Sequence, residues 1–300
     1  MRIALLLAPI LGLAAIPAAA DSREAVTGAT SHSIEHGGLM RTYRLYVPKS
    51  LPAGPVPLVV LLHGGFGTGP GAARQGRWDE AARRERFVTV APDGISRAWN
   101  AGGCCGPPMR RGIDDVGFVL AVLDDVARQV IIDQNRVYAT GISNGGMMTY
   151  RLACEASDRF AAMAPVSSTL MLTGCAPARP LSLLHVHGLA DRNVPFDGGA
   201  PTKSFQRNPP DYPPVRDGIA VFTAKDGCSA KPAVTHDGKV TTERWRGCDA
   251  GTAVELITIS DGGHSWPGGR RMAKILYPPS DALDATAVIW KFFAAHPRHD

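Results

Sequence analysis

The 300-residue sequence lacks the signatures of several large protein classes. It has no G-K-[ST] segment, and therefore no P-loop to cradle a triphosphate. It has neither H-E-x-x-H nor a paired C-x-x-C, so a catalytic or structural zinc has no ligand pattern to occupy. Charged residues make up only 20% of the chain, and the net charge of +5 comes from scattered Lys and Arg. No basic stripe with interleaved aromatics exists, which argues against nucleic acid as a partner. Six cysteines are too few for a disulfide-dense mini-fold. No repeat is visible, and no linker separates two globular halves. What is abundant is apolar: 45% of residues are hydrophobic, enough for a sizeable core and too many for global disorder. Thirty-three glycines and 24 prolines imply many turns and long ordered loops.

Arg2 precedes an uncharged, mostly apolar run from Ile3 to Ala20 that ends Pro17-Ala18-Ala19-Ala20 before Asp21. A short basic end, an apolar segment and an A-x-A site read as a secretory signal peptide over residues 1–20. Pro9, Gly12 and Pro17 interrupt the run and no Lys/Arg cluster follows it, so a stable membrane anchor is not expected. The expected destination is the periplasm or the exterior, where disulfides persist.

The remainder, 21–300, is expected to form one catalytic domain. His32–Glu35 and Met40–Val47 read as a hairpin. Leu58–Leu62 is a continuous apolar run, as in a strand buried on both faces. Further strands are expected at Phe87–Ala91, Arg136–Thr140, Phe160–Val166, Leu181–His187 and Val254–Ile259. Helices are expected at Ala72–Arg84, Val116–Val130, Gly145–Ala156, Val215–Lys225 and Ala282–Ala294. Alternating strands and helices predict a mostly parallel α/β sheet flanked by helices. The stretch from about 197 to 250, rich in Gly, Pro, Asn and Asp at its start, reads as an irregular insertion.

Gly141-Ile142-Ser143-Asn144-Gly145 fits G-x-S-x-G, between an expected strand and an expected helix. That context turns a modest pentapeptide into a nucleophile elbow, the mark of an α/β-hydrolase fold. A serine hydroxyl needs a base, and the base needs an orienting carboxylate. In this fold both follow the nucleophile in the order acid then histidine. Asp191 lies just past the Leu181–His187 strand and His264 just past the Val254–Ile259 strand, which makes them the expected acid and base. Asp217 and Asp261 are the alternatives for the acid. His185 reads as a core histidine, and His187 as structural first, with shaping the acid loop as the alternative. For the oxyanion hole, Asn144 supplies one backbone N–H and the loop His63-Gly64-Gly65-Phe66-Gly67 the other, through Gly65 or its neighbour Phe66. Gly67-x-Gly69-x-x-Ala72 loosely mimics a dinucleotide fingerprint, but Pro70 inside it and the His-Gly before it argue against a cofactor. No cofactor and no metal are expected. Trp99 and Trp266 fall on loops expected to flank the serine, and are expected to wall the substrate site.

Several segments together resemble the polyhydroxybutyrate depolymerase and feruloyl-esterase-like family of secreted α/β-hydrolases. They include Leu62-His63-Gly64-Gly65, Trp99-Asn100-Ala101-Gly102-Gly103-Cys104-Cys105, Asp114-Asp115-Val116-Gly117-Phe118 and Arg136-Val137-Tyr138 through Met148. Arg151-Leu152-Ala153-Cys154-Glu155, His187-Gly188 with Asp191, Gly262–Gly268 and Ala285-Thr286 with Ile289-Trp290 complete the set. The resemblance spans essentially the whole chain after residue 20 and implies the same Ser143, Asp191 and His264. Many members carry cysteine where this chain has Gly65, a departure that a backbone donor tolerates. The resemblance and sequence proximity favour Cys154–Cys175 and Cys228–Cys248 as disulfides. That leaves Cys104–Cys105 as a vicinal pair, with reduced or metal-binding thiols as alternatives.

The expected function is a serine esterase acting through an acyl-enzyme on short or aromatic carboxylic esters, including hydroxyalkanoate oligomers. A feruloyl or aryl polyester esterase is the nearest alternative, ahead of a serine peptidase or a non-catalytic binding protein on the same scaffold. The expected partner is a small or oligomeric ester; the sequence leaves the oligomeric state open.

Overall fold

Ten strands form one sheet in the order β1-β2-β4-β3-β5-β6-β7-β10-β9-β8. The computed structural model describes residues 26–204, 208–274 and 277–298. The expected signal peptide lies outside them. An antiparallel hairpin, β1 (Gly28–His36) and β2 (Leu39–Val47), forms one edge. The centre is parallel: β3 (Val56–Leu62), β4 (Val88–Pro92), β5 (Ile132–Ile142), β6 (Ala162–Val166), β7 (Ser182–Gly188) and β10 (Val254–Ile259). Strands β3, β4, β6 and β7 are buried at every position, which is why β3 and β6 read as unbroken apolar runs and β4 and β7 carry buried polar residues at Thr89, Ser182, His185 and His187.

Helices cover both faces, dividing the core in two. On one face α4 (Asp115–Ala127), α5 (Asn144–Glu155) and α6 (Val215–Lys225) contribute Phe118, Tyr150 and Phe222 to one apolar cluster. On the other, α2 (Trp78–Glu85) and α7 (Ala285–Ala295) pack Trp78 and Phe293 against the sheet.

Two sequence expectations change. The single helix expected over 72–84 is two, α1 (Gly69–Gln75) and α2. The break falls where Arg77 takes a left-handed conformation, with φ 54°. There the Trp78 ring turns inward, and the Gly76 carbonyl accepts from the Thr286 hydroxyl at 2.6 Å. The expected irregular insertion also holds ordered strands. Besides α6, it contains the hairpin β8 (Ala233–Asp237) and β9 (Val240–Trp245), and β9 pairs antiparallel with β10 to extend the sheet. Asp237-Gly238 between β-branched runs was the available signal, with Gly238 at φ +56° making the turn. A short helix, α3 (Gly106–Arg110), follows the Cys104-Cys105 loop. Among the described residues no helix is long and apolar enough to cross a membrane.

Candidate active site

Sheet order brings the site together. β5, which delivers Ser143, lies beside β3, which delivers the His63–Gly67 loop; β7 lies beside β10, which delivers His264. Because all four run parallel, their C-terminal ends share one edge.

Ser143 sits between β5 and α5 at φ 57°, ψ −126°, a conformation that L side chains rarely adopt. The turn is tight because Gly141 and Gly145 touch each other and β3. A Cβ on Gly141 would meet the Gly145 carbonyl at 2.6 Å, and one on Gly145 would meet the Leu62 carbonyl oxygen at 2.2 Å. The Ser143 N–H is held by the Val166 carbonyl at 3.0 Å. The side chain lines a cavity of about 770 Å³ shared with Gly64, Gly65, Asn144, Val194 and His264.

His264 Nδ1 lies 2.7 Å from Asp191 Oδ2. The other carboxylate oxygen, Oδ1, accepts from the Asn193 and Val194 N–H groups at 2.8 and 2.9 Å. Burial pushes the Asp191 pKa up, but His264, His187 and the backbone donors outweigh it and hold the carboxyl below its ordinary value. The acid and base loops are also joined directly, because the Ala190 N–H donates to the Gly262 carbonyl at 2.9 Å. No hydrogen bond joins the Ser143 and His264 side chains among the described residues, although both line the one cavity. The rival acids are elsewhere: Asp261 is exposed and paired with Lys239, and Asp217 sits in the first turn of α6.

Beneath Asp191 runs a buried chain that sequence reading left as core and loop packing. His187 Nε2 lies 2.9 Å from the Val194 carbonyl and 3.6 Å from Asp191 Oδ2. His187 Nδ1 lies 3.0 Å from His185 Nε2, and His185 Nδ1 lies 2.8 Å from the Tyr150 hydroxyl. One assignment satisfies every contact: Tyr150 donates to His185, His185 to His187, and His187 to Val194. Burial pushes both histidine pKa values down, so each ring stays neutral as that assignment requires. The H-x-H-G spacing on a buried strand, with both rings on one face, was the available signal.

Of the two N–H groups considered for the oxyanion loop, Phe66's is taken by the Arg97 carbonyl at 2.8 Å, whereas Gly65's has no partner among the described residues. His63 fixes this loop. Its Nδ1 donates to the Gly64 carbonyl at 2.8 Å, and its Nε2 accepts from the Gly94 N–H at 2.9 Å. Burial lowers its pKa, consistent with that neutral tautomer.

The two tryptophans do not wall the cavity, which corrects the sequence expectation. Trp99 is 0% exposed; its indole N–H donates to the His63 carbonyl, and its ring packs at a tilt against the His63 ring, centroids 4.9 Å apart. Trp266 is 4% exposed, donates to Thr286 and packs edge-on to Trp78. Each indole reaches inward to a partner that satisfies its N–H, a geometry that a loop position in sequence cannot reveal. The apolar contacts facing the cavity come instead from Phe66, Met147, Val194, Tyr212 and Met272. Cysteines pair as Cys154–Cys175, Cys228–Cys248 and the adjacent Cys104–Cys105, with Cys105 on the cavity wall.

Comparison with known proteins agrees with this architecture. NocK of Nocardia uniformis subsp. tsuyamanensis, named as an esterase, is 33% identical over 261 residues, covering 80% of this chain and 74% of its own. Feruloyl esterase C of Emericella nidulans is 31% identical over 222 residues, covering 72% and 67%. The chain belongs to the feruloyl-esterase-like family of α/β-hydrolases. As a member of that family it is a serine-type carboxylic ester hydrolase. The prolyl oligopeptidase family profile matches residues 110–178, the part of the hydrolase that contains the elbow strand and helix. The acetyl xylan esterase from Aspergillus awamori has the same fold, with TM-score 0.59 at 14% identity, covering 89% of this chain and 99% of that one.

Proposed function

We propose that Ser143 is the nucleophile, His264 the base and Asp191 the orienting acid, with the Gly65 and Asn144 N–H groups as the oxyanion hole. The observation that carries this reading is the strained Ser143 turn opening onto the same cavity as an imidazole whose far nitrogen is bound by a buried carboxylate. His264 takes the Ser143 proton as the hydroxyl oxygen attacks the ester carbonyl, and the developing oxyanion is met by the two N–H groups. The imidazolium then protonates the departing alcohol. Water, deprotonated by His264, resolves the acyl-enzyme and frees the acid.

The substrates in this reading are short or aromatic esters, including soluble hydroxyalkanoate oligomers ahead of crystalline polymer. A cavity of about 770 Å³ suits one short oligomer or aryl ester held at a time. Feruloyl esters are the alternative, supported by the similarity to a protein named feruloyl esterase C. The protein is read as exported, on the apolar N-terminal run and three cysteine pairs. A panel of hydroxybutyrate oligomers, feruloyl esters and aromatic polyesters ranks the substrates. Ser143→Ala abolishes every one of these activities while the fold stays intact; a variant that still turned over would remove Ser143 from the mechanism.

A further inference from the structure

The cavity over Ser143 is cationic. Arg74, in the last turn of α1, and Arg97, beside the oxyanion loop, both line it, whereas no aspartate or glutamate among the described residues does. Both arginines are exposed, and neither pairs with a carboxylate among the described residues. What sets them apart from the other exposed arginines is position, since both lie on the wall of the cavity that holds Ser143. The Arg97 Nε–H donates to the Gly67 carbonyl at 3.3 Å. That contact lays the guanidinium against the loop that carries Gly65, and its terminal N–H groups have no partner among the described residues. Arg271 and Lys274 flank the lining residues Met272 and Ala273; Asp211 lies beside Tyr212, and Asp93, behind His63, is bound by the Gly69 N–H and the Thr42 hydroxyl. Asp191, behind His264, is already engaged by His264 and two backbone donors.

We propose that this cavity selects esters that carry a carboxylate in addition to the scissile bond, with Arg97 and Arg74 binding that carboxylate. The inference rests on the Ser143 reading and adds the chemical class of substrate to it. A neutral ester gains nothing from two hydrated guanidinium groups. A carboxylate gains a forked, charge-assisted contact in a partly enclosed site, and a positive mouth raises its local concentration. A hydroxyalkanoate oligomer with a free acid end has this chemistry; so does the half-ester of a dicarboxylic acid.

Two probe pairs test the idea and locate the charge. For the acyl side, 4-nitrophenyl hydrogen adipate is compared with 4-nitrophenyl methyl adipate, which shares its leaving group. For the alcohol side, 3-butyryloxybutyrate is compared with its methyl ester. In at least one pair the acid is cleaved with a kcat/KM about 10-fold or more above the neutral partner. Arg97→Gln and Arg74→Gln each reduce that acid-to-neutral ratio about 3- to 10-fold. Raising ionic strength from about 0.02 to about 0.5 M reduces it as well, because exposed charges are screened. Both residues are solvent-exposed, so the variants fold; using the ratio removes any shared effect on the oxyanion loop. If both acids are cleaved no better than their neutral partners, or if the ratio survives both substitutions, the inference is wrong and the Ser143 reading still stands. If Ser143→Ala cleaves these esters as fast as the parent protein, the Ser143 reading itself falls.

Discussion

The Asn144 side chain is clamped to the backbone of Trp99 at both ends: its Oδ1 accepts from the Trp99 N–H at 2.7 Å and its Nδ2 donates to the Trp99 carbonyl at 3.0 Å. The residue after the serine thus ties the elbow to the loop that leads to Cys104 and Cys105. Asp115 holds the next link, accepting from the Asn100 N–H at 2.8 Å while paired with the buried Arg41 at 2.7 Å. Asn144→Ala strands the buried Trp99 N–H, while the Trp99 carbonyl keeps the Cys105 N–H at 3.1 Å, an expected cost of about 1–3 kcal/mol. It also loosens the N–H proposed for the oxyanion. Calorimetry should show the lower Tm, and ester kinetics a fall in kcat larger than any rise in KM.

Ser143→Gly separates strain from chemistry. Glycine adopts φ 57°, ψ −126° without a Cβ penalty, so the variant should be more stable by about 1 kcal/mol and inactive. Chemical denaturation measures the gain. An unchanged or lowered stability would mean that the elbow stores no strain.

His187 is expected to act through the acid loop. His187→Phe keeps the ring shape but removes the donor to the Val194 carbonyl and the acceptor for His185. Activity should fall about 10- to 100-fold as Asp191 loses its fixed position. His187→Gln, which can restore the donor to Val194, should recover part of it. Normal kcat in the phenylalanine variant at a lowered Tm would limit His187 to packing.

Stability should respond to pH through two sets of groups with opposite signs. His185 and His187 are held below their ordinary pKa by burial, so the unfolded chain binds protons that the native state refuses. Their contribution is present above about pH 6.5 and is lost as pH falls from there. Asp226 is pushed up to about 6 by burial, which outweighs the Leu181 N–H donated to its Oδ1 at 3.1 Å. Its contribution is present at low pH and lost as pH rises through about 6. Asp226→Asn should therefore gain about 1–2 kcal/mol over the parent at pH 8, and little near pH 4. Urea midpoints at the two pH values measure the difference, and a pH-independent gap would reject the assignment.

Trp266→Ala should cost stability rather than alter substrate choice. It empties a core site against Trp78 and frees Thr286, for an expected loss of about 3–5 kcal/mol. At a temperature where the variant is folded, bulky and small esters should be affected alike. A selective loss of bulky esters would return the ring to the cavity wall.

The sequence by itself determined the parts of this protein governed by local rules. Period and apolar runs gave the strand and helix alternation. Gly141 and Gly145 announced the sharp turn at Ser143, since only small residues let strand, helix and β3 backbone meet there. Strand-end position and chain order singled out Asp191 and His264, because a parallel sheet puts those loops on one edge. The hairpin at Asp237-Gly238 was written in the sequence too, but composition masked it. Tertiary structure alone decided which way side chains on those loops face. Trp99 and Trp266 turned inward because each indole N–H finds a buried acceptor there, and burial with a partner outweighs exposure on the rim. Likewise, nothing local joins Tyr150, His185 and His187 into one chain or leaves Arg74 and Arg97 without carboxylates. The Tyr150–His185 link spans 35 residues and exists only once α5 packs over the sheet, and the two arginines meet only where α1 and the Arg97 loop border one cavity.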